Sequence, residues 1–330
     1  MTNENQNATM RAAIYTRYGP PEVVQIMQVS KPVPGPNELL IRIHASTVNR
    51  TDCGFRSASY FISRFWTGLI KPQRQILGCE FSGEVVEVGS AVQQFAVGDR
   101  VFGYDDALLG GHAEYICMSE TASIAHIPPT LSYDQGAALT EGAHYALNDI
   151  RAAGVLAGQH VLVYGATGAI GSAAVQILKA MDVRVTAVCA TPHIQLLKKL
   201  GADRVIDYMQ EDYTQCGEQF DLVFDAVGKT SFGACKRVLK PKGIYISTEL
   251  GKYGQNVWYG LFKFLMPGKH VFFPIPVHHQ AMIKELADLA DAGKFTPLID
   301  RAYPLSDIRD AYHYVETGMK LGNVIIHCAS

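Results

Sequence analysis

The sequence predicts an α/β protein that combines a β-rich domain with a doubly wound, parallel-sheet domain. Three observations predict this class. The first third of the chain contains short strand-like segments separated by glycine and proline turns. From residue 160 onward, short apolar strands alternate with helices, which is typical of a parallel sheet covered on both faces. The 330 residues are 48% hydrophobic and 18% charged, a length that suits two globular domains better than one core.

The β-rich domain is predicted from three segments. Residues 39–45 form a strand after the turn 34–37, and residues 81–88 form a second strand that contains glycine. Residues 98–103 form a turn followed by a short strand. Near residue 130 the pattern changes, because Ser132 is a plausible N-cap for an alanine-rich helix.

The parallel-sheet domain follows as a series of strands and helices. Gly201 ends one of the helices as a C-cap residue. The predicted strands are 160–164, 183–189, 205–207, 221–226 and 243–247, and the predicted helices are 169–181 and 193–200.

The last part of the chain is too short for a third domain. After residue 297 there is room for two short strands and one helix, with the helix at 305–318 and the last strand at 323–326. We expect this segment to return to the β-rich domain. The predicted limits are therefore 10–128 with 297–330 for the β-rich domain, 129–296 for the parallel-sheet domain and 1–9 for a flexible tail.

Charge and cysteine content restrict the class of partner. A net charge of −2 gives no attraction to nucleic acid or to an anionic membrane, so a small-molecule substrate is expected. No apolar run reaches the length of about 18 residues that spans a bilayer, and the N-terminus lacks the pattern of a signal peptide. The seven cysteines are scattered, which favours a reducing compartment, with the cytoplasm as the default expectation.

A glycine-rich loop between a predicted strand and a predicted helix indicates a dinucleotide site. Such a loop needs small residues because the turn is tight, the backbone approaches a pyrophosphate and the helix packs closely on the sheet. The helix N-terminus then offers N–H groups to the phosphates. The alternative is a strand–helix turn in an α/β protein that binds no nucleotide. The loop residues are Gly165, Ala166, Thr167, Gly168, Ala169, Ile170 and Gly171, with Ala166 at the first glycine position of the usual G-x-G-x-x-G motif.

The end of the second strand of this domain bears on the choice between NAD and NADP. A carboxylate there would bind the ribose 2′-hydroxyl, but Cys189 is followed by Ala190 and Thr191 without one. Thr191, His193 and Tyr208 are candidate donors to a 2′-phosphate. NADPH is therefore the expected cofactor, with NAD as the alternative, while His193 has an ordinary helix residue as its other interpretation.

The motifs together resemble the medium-chain dehydrogenase/reductase superfamily, in its zinc-free quinone oxidoreductase-like branch. The resemblance covers nearly the whole chain from Met10. It implies a GroES-like β-rich catalytic domain plus a Rossmann domain, with the active site in the cleft between them. It also implies hydride transfer from a nicotinamide to a quinone or activated alkene, and a homodimer. Further matching segments are 46–49, 97–101, 111–115, 158–171, 201–203 and 225–228.

The same resemblance argues against zinc. The zinc alcohol dehydrogenases of the superfamily carry a cysteine where this chain has Asn49 and a histidine where it has Cys79, and their third ligand falls near Glu141. Catalytic zinc needs three protein ligands and an open position. We expect no metal, although Cys53 and Glu80 together with Cys79 and Glu141 form an alternative ligand set. Without a Lewis acid, ordinary alcohol oxidation is disfavoured.

The resemblance also indicates residues near the substrate and the nicotinamide. Asn49 faces the substrate end and offers an amide to a carbonyl group, with a structural loop residue as the alternative. Tyr60 is a candidate proton donor or carbonyl anchor, with aromatic packing as the alternative. Tyr145 stands where the family usually has threonine, and Val227 and Thr248 are the remaining candidate cofactor contacts.

Three functional interpretations follow. The leading one is an NADPH-dependent reductase of quinones or α,β-unsaturated carbonyl compounds that uses no metal. A metal-free alcohol or aldehyde reductase is the second, and a non-catalytic dinucleotide-binding protein is the third. A hydride-transfer assay separates catalysis from binding alone.

Overall fold

The chain forms two compact units in this computed structural model, which describes residues 8–59, 64–261, 268–274 and 277–329. The first unit comprises Met1–Glu141, His278–Asp291 and Ile299–Ser330, and the second comprises Gly142–Val277 and Ala292–Leu298. The domain limits expected from the sequence stay a prediction. Most of the predicted tail, residues 1–7, lies outside the described residues, and the first strand begins at Thr9.

The strands of the described residues follow the predicted order along the chain. They are β1 (Thr9–Ile14), β2 (Gln25–Ser30), β3 (Glu38–Val48), β4 (Glu80–Val88), β5 (Arg100–Tyr104), β6 (Tyr115–Ser119), β7 (Ile124–His126), β8 (His160–Tyr164), β9 (Arg184–Cys189), β10 (Arg204–Asp207), β11 (Phe220–Asp225), β12 (Leu239–Ser247), β13 (His270–Phe272), β14 (Ile299–Pro304) and β15 (Asn323–His327).

The helices are mostly short. They are α1 (Arg50–Ser57), α2 (Arg64–Thr67), α3 (Tyr133–Ala137), α4 (Glu141–Ala152), α5 (Ala169–Ala180), α6 (Ile194–Lys199), α7 (Phe232–Cys235), α8 (Gln255–Leu261), α9 (Gln280–Asp291) and α10 (Ile308–Glu316). Within the described ranges, no helix has both the length and the apolar character that a bilayer crossing requires.

The second unit is built on a six-stranded parallel sheet, which confirms the predicted fold class. Its strand order is β10-β9-β8-β11-β12-β13. Val161 to Val163 of β8 are fully buried, as expected for a central strand covered on both faces. The order reverses between β8 and β11, and ligands of open α/β sheets bind beyond the carboxyl ends of the strands at such a point.

The first unit contains a seven-stranded sheet and the β1–β2 hairpin. Six strands follow the order β14-β15-β3-β4-β5-β7, while β6 also pairs with β3. Strand β15 pairs antiparallel with β3, so the C-terminal segment returns to the β-rich sheet as the sequence predicts. Leu39, Ile41 and Ile43 of β3 are fully buried and form part of the core.

Several helix boundaries differ from the prediction, and α10 (Ile308–Glu316) is shorter than the predicted helix 305–318. The Ser132 capping box is present, but α3 ends at Ala137 and a second helix starts at Glu141. Between them, Thr140 Oγ1 and the Glu141 N–H both donate to the Glu80 carboxylate, an interaction between residues distant in sequence. Helix α6 is preceded by a 3-10 turn at Thr191–His193, which contains a proline in its first turn.

Candidate functional site

The glycine loop of the second unit connects β8 to α5 in a tight turn. Gly165 has φ +75°, and a Cβ there would lie 2.6 Å from Val227 Cγ1. A Cβ at Gly171 would overlap the Gly165 carbonyl oxygen. Both positions therefore require glycine, because other atoms of the folded chain leave no room for a Cβ. The loop and the adjoining strand end are thus packed as a dinucleotide-binding turn requires.

Gly168 requires a different explanation. It is the N-cap of α5 with φ −74°, and the nearest atom to an added Cβ is the Gly165 oxygen at 3.7 Å. The protein itself therefore leaves room for a side chain at this position. No side chain caps the helix. A helix N-terminus without a side-chain cap, next to the unfilled space at Gly168, is suited to bind the pyrophosphate of a dinucleotide.

The ends of β9 and β10 lie side by side. They bring together most of the residues that are predicted to bind the cofactor ribose or its 2′-phosphate. Cys189 pairs with Asp207, and the Tyr208 N–H donates to the Cys189 carbonyl at 3.0 Å. Thr191 Oγ1 donates to Asp207 Oδ2 at 2.5 Å. The Tyr208 side chain is exposed, and His193 ends the 3-10 turn.

Asp207 is a residue that the sequence argument missed. The ribose-binding carboxylate is expected at the end of the second strand of this sheet, whereas Asp207 lies at the end of the third. Its Oδ1 accepts from the Met209 N–H at 3.0 Å, and its Oδ2 accepts from Thr191. A sequence search that included the neighbouring strand end would have found it, because parallel strands end at the same sheet edge.

Hydrogen bonds at the ends of β11 and β12 hold the next two candidate cofactor contacts, Val227 and Thr248, in position. The buried Asp225 carboxylate accepts the N–H groups of Val227 and Gly228, at 3.2 and 2.9 Å. Its other oxygen accepts the Tyr245 hydroxyl at 2.8 Å. The Thr248 N–H donates to the Asp225 carbonyl at 3.1 Å. One residue therefore orients both strand ends, and Val227 contacts the glycine loop through Gly165.

Tyr145 lies on α4 and is half-buried. Its ring packs edge-on against His144, with ring centroids 5.2 Å apart. One turn earlier, a Cβ at Gly142 would lie 2.7 Å from the carbonyl carbon of Ala169. Helix α4 therefore starts in close contact with the first residue of α5, next to the glycine loop.

Asn49 is the best-defined candidate in the first unit. It is the N-cap of α1 and is 3% exposed. Its Oδ1 accepts from the Asp52 N–H at 2.9 Å, and the Asp52 carboxylate accepts from the Asn49 N–H at 3.2 Å. Its Nδ2 is buried and has no hydrogen-bond partner among the described residues. A buried donor without a partner is costly, so this amide is suited to a ligand acceptor.

Two buried carboxyl groups lie beside α1. Glu80 of β4 is fully buried, and Glu141 at the start of α4 is 4% exposed. Thr51 Oγ1, in the first turn of α1, donates to Glu141 Oε1 at 3.1 Å. Burial and the neighbouring Glu80 raise the pKa of Glu141 to about 8. The second catalytic candidate, Tyr60, lies outside the described residues.

Two of the residues at the zinc-ligand positions of the zinc enzymes make other hydrogen bonds here. Asn49 Oδ1 is engaged in the helix cap, and Cys79 Sγ donates to Asp52 Oδ1 at 3.5 Å. Burial raises the pKa of the Cys79 thiol well above its usual value, whereas zinc binds thiolates. In the described parts of the chain, one group of three metal-ligating side chains has its ligand atoms within 4.8 Å of one another, and it comprises Asp105, Asp106 and His278. It includes none of Cys53, Cys79, Glu80 and Glu141.

Two family profiles match the chain. The alcohol dehydrogenase GroES-like domain matches residues 35–129, and the zinc-binding dehydrogenase profile matches residues 200–326. The second match does not include the positions of Asn49, Cys79 or Glu141. The first agrees with the β-rich first unit.

Individual relatives and a solved structure match over most of their lengths. The 2-methylene-furan-3-one reductase of Solanum lycopersicum is 31% identical over 330 residues, covering 96% of this chain and 79% of the relative. The mitochondrial NAD(P)H oxidoreductase RTN4IP1 of Mus musculus is 29% identical over 360 residues, covering 99% and 91%. The structure of the quinone oxidoreductase from Coxiella burnetii has a TM-score of 0.86 at 28% identity, covering 98% of this chain and 100% of that one.

The GroES-like unit, the Rossmann-like parallel sheet and the glycine loop define a two-domain oxidoreductase, and the homologues support dependence on NAD(P)H. The chain belongs to the medium-chain dehydrogenase/reductase superfamily. Both the fold class and the family resemblance predicted from the sequence are therefore confirmed.

Proposed function

We propose that the protein is an NADPH-dependent reductase of quinones or α,β-unsaturated carbonyl compounds that transfers hydride directly and uses no metal. The observation that carries the proposal is the Asn49 amide. Its oxygen is fixed by the α1 cap, while its buried Nδ2 has no partner in the described chain. A carbonyl oxygen that accepts from Nδ2 gains a donor held in place by a helix cap.

The chemistry requires such a donor because charge develops on the substrate oxygen. When bound, the nicotinamide cofactor supplies the hydride. Addition to a quinone or to the β-carbon of an enone moves electron density onto the carbonyl oxygen, and a preorganised N–H donor stabilises that charge. The tomato relative is named as the reductase of a 2-methylene-furan-3-one, an alkene conjugated to a ketone, and the Coxiella protein is named a quinone oxidoreductase.

The preference for NADPH rests on the ends of β9 and β10. No carboxylate follows Cys189 on its own strand, and the exposed Tyr208 and the nearby His193 offer donors to a 2′-phosphate. Asp207 opposes this choice. Both of its oxygens already accept hydrogen bonds, from Met209 and Thr191, so the carboxylate is less available to accept a hydrogen bond from a ribose hydroxyl.

The proposal that no metal takes part rests on the chemistry of the side chains at the zinc-ligand positions. Burial raises the pKa of the Cys79 thiol, which disfavours the thiolate that zinc binds, and Asn49 is used as a helix cap. An electron-poor alkene or quinone accepts hydride without the Lewis acid that an alkoxide would need.

The test is cofactor oxidation with 1,4-benzoquinone, 9,10-phenanthrenequinone, an alkenal and a simple aldehyde. Each acceptor is assayed with NADPH and with NADH, in the presence and absence of a chelator. We expect chelator-resistant turnover of a quinone or the alkenal, faster with NADPH. Loss of activity with chelator would refute the metal-free part. Cofactor binding without turnover of any acceptor would favour a non-catalytic protein, and turnover of the aldehyde alone would favour an aldehyde reductase.

Assembly and location belong to the same proposal. Strand β13 is an edge of the six-stranded sheet, and an edge strand can pair with its copy in a second subunit. A homodimer is therefore proposed, and light scattering with sedimentation tests it. The cytoplasmic location expected from the scattered cysteines stays a prediction.

A further inference from the structure

The segment that follows β5 meets the segment that precedes α9 within the first unit. The two segments bring together three side chains whose ligand atoms all lie within 4.8 Å of one another, and these are Asp105, Asp106 and His278. We call this group the Asp-Asp-His cluster. None of its members is a candidate catalytic or cofactor-binding residue, so an inference drawn from the cluster goes beyond the proposed function and does not depend on it.

The imidazole of His278 is held in one orientation by two neighbours. Ser123 Oγ is hydrogen-bonded to its Nδ1 at 2.9 Å, and Ser123 is 5% exposed. The ring also packs edge-on against the fully buried Tyr104, with ring centroids 5.2 Å apart. Metal-binding histidines have their second ring nitrogen hydrogen-bonded in this way, because that contact fixes the tautomer and the direction of the ligating nitrogen.

The ligating nitrogen of His278 faces a carboxylate. Its Nε2 lies 3.1 Å from Asp106 Oδ1. In the absence of a metal, a proton on Nε2 joins the two atoms; a metal ion can replace that proton when Ser123 Oγ accepts the Nδ1–H. Zinc bonds of about 2.0–2.2 Å place neighbouring ligand atoms roughly 3.3–3.6 Å apart in a tetrahedron. The observed separation is therefore close to the one that a shared zinc ion requires.

Asp105 provides the third ligand. Its N–H donates to the Cys79 carbonyl at 2.7 Å, and its Oδ1 accepts the N–H groups of Ala107 and Leu108 at 2.8 and 2.7 Å. Its Oδ2 accepts no hydrogen bond from the residues that the structure describes. One carboxylate oxygen thus fixes the turn, while the other stays available to a cation.

A hydrogen bond between His278 and Asp106 accounts for only part of this arrangement. It explains neither why a second carboxylate lies within 4.8 Å of both groups nor why Ser123 orients the ring. Two carboxylates at this distance repel each other unless a cation lies between them. The side chains of His278 and Asp106 are 26% and 33% exposed, so a metal ion with bound water can enter from solvent.

The donor set selects one class of cation. Imidazole nitrogen favours zinc and the neighbouring transition metals, whereas Mg²⁺ and Ca²⁺ prefer six or more oxygen ligands. One nitrogen and two carboxylates give the three protein ligands that leave a fourth, tetrahedral position for water.

We propose that Asp105, Asp106 and His278 bind one zinc ion, which joins the segment after β5 to the segment before α9. The family matches assign no such site, because the zinc-ligand positions of the zinc enzymes correspond to Asn49, Cys79 and Glu141. The ion has a structural role, since it connects two segments that are distant in sequence and binds only where folding has brought them together.

The first experiment is calorimetric titration of the chelator-treated, full-length protein with zinc chloride. We expect about one zinc ion per chain. Asp106→Asn and His278→Asn each remove a ligand and should weaken binding by about 100-fold or more, whereas Ser123→Ala removes only the contact that orients the ring and should weaken it by about 10-fold. Zinc affinity that is unchanged in His278→Asn would overturn the proposal.

The matched control is His327→Asn. His327 Nε2 lies 3.0 Å from Asp134 Oδ1 on the surface, but among the described residues no third ligand atom completes a metal site there. We expect this variant to retain the zinc affinity of the wild type. An equal loss in His327→Asn and His278→Asn would show that zinc binds surface histidines without selectivity, and would overturn the assignment.

Two further measurements test the ligand set and the choice of metal. Cobalt(II) bound in place of zinc should give visible d–d absorption without a thiolate charge-transfer band, because the cluster contains no sulfur. Such a band would place the metal on cysteine and refute the site. Excess Mg²⁺ should not displace zinc, and displacement would refute the assignment of a transition-metal site.

Thermal unfolding provides a readout that is independent of activity. Zinc at about 100 times its Kd should raise the unfolding midpoint of the wild type by several degrees, and the rise should be missing in His278→Asn. An equal rise in both proteins would place the stabilising ion elsewhere and contradict the proposal. Circular dichroism verifies that each variant is folded.

Quinone turnover separates this proposal from the proposed function. His278→Asn should reduce quinone at the wild-type rate, with or without chelator. Chelator-sensitive turnover that persists in His278→Asn would contradict the metal-free reaction, whereas the zinc titration by itself decides whether the Asp-Asp-His cluster binds metal. The two proposals can therefore fail separately.

Discussion

The glycine loop of the second unit and the carboxyl cluster of the first unit, which comprises Glu80, Glu141 and Lys320, are built in opposite ways. The loop is a contiguous segment, 165–171, and its geometry follows from three glycines within seven residues. The cluster joins β4, the start of α4 and the segment after α10, which are distant in sequence. In the proposed function the loop binds the cofactor through its backbone, whereas the properties of the cluster depend on side-chain charges. Mutations should separate affinity for the cofactor from chemistry on the substrate.

The largest expected effect is at Asn49, beside the carboxyl cluster. Asn49→Asp and Asn49→Ser both keep an N-cap acceptor for α1 but remove the amide donor. We expect kcat/KM for the alkenal to fall by about 10²–10³-fold, as for loss of one oxyanion donor. The unfolding free energy should stay within about 1 kcal/mol of the wild type. Steady-state kinetics and urea unfolding measure both.

Either of two results would count against this role. Wild-type kinetics in Asn49→Ser would show that the amide is not needed. Parallel loss of activity and stability in both variants would mean that Asn49 acts only as the helix cap.

The next effect separates two glycines of the loop. Gly171→Ala should destabilise the second unit by about 1–3 kcal/mol, because its Cβ overlaps the Gly165 carbonyl oxygen. Gly168→Ala should leave stability within about 1 kcal/mol, because its Cβ has space, but should weaken cofactor binding by roughly tenfold. Thermal unfolding and cofactor titration test the pair. Unchanged cofactor affinity in Gly168→Ala would mean that the space at Gly168 is not occupied by the dinucleotide.

A third effect concerns stability and pH in the carboxyl cluster. Glu141 has a pKa of about 8 in the folded protein, against an ordinary value of 4.5. Between these values the unfolded chain is ionised while the folded protein retains the proton, so its contribution to stability falls as pH rises, by at most about 1.4 kcal/mol per pH unit. Glu141→Gln should therefore gain stability relative to the wild type from pH 5 to pH 8. Urea unfolding at several pH values measures it, and a constant difference would contradict the raised pKa.

The same contrast explains what the sequence could predict. The parallel sheet, the return of the C-terminal strand and the glycine loop all follow from local patterns, and the structure confirms them. Asn49 was identified by resemblance, but the orientation of its amide depends on the capping box that it forms with Asp52. The hydrogen bonds of Glu80 were not predictable, because Thr47, Thr140 and the Glu141 N–H meet only after three segments pack.

Asp207 is a second residue whose contacts could not be predicted from the local sequence. Its mutation gives the smallest expected effect. Its sequence position is 16 residues after Thr191, yet the two side chains are hydrogen-bonded at 2.5 Å because β9 and β10 end together. Asp207→Asn removes a negative charge near the expected 2′-phosphate and keeps an acceptor for Thr191. For a partly exposed charge worth about 1 kcal/mol, the NADPH/NADH ratio of kcat/KM should rise about fivefold. A fall in that ratio would mean that Asp207 binds a ribose hydroxyl and that NADH is the preferred cofactor.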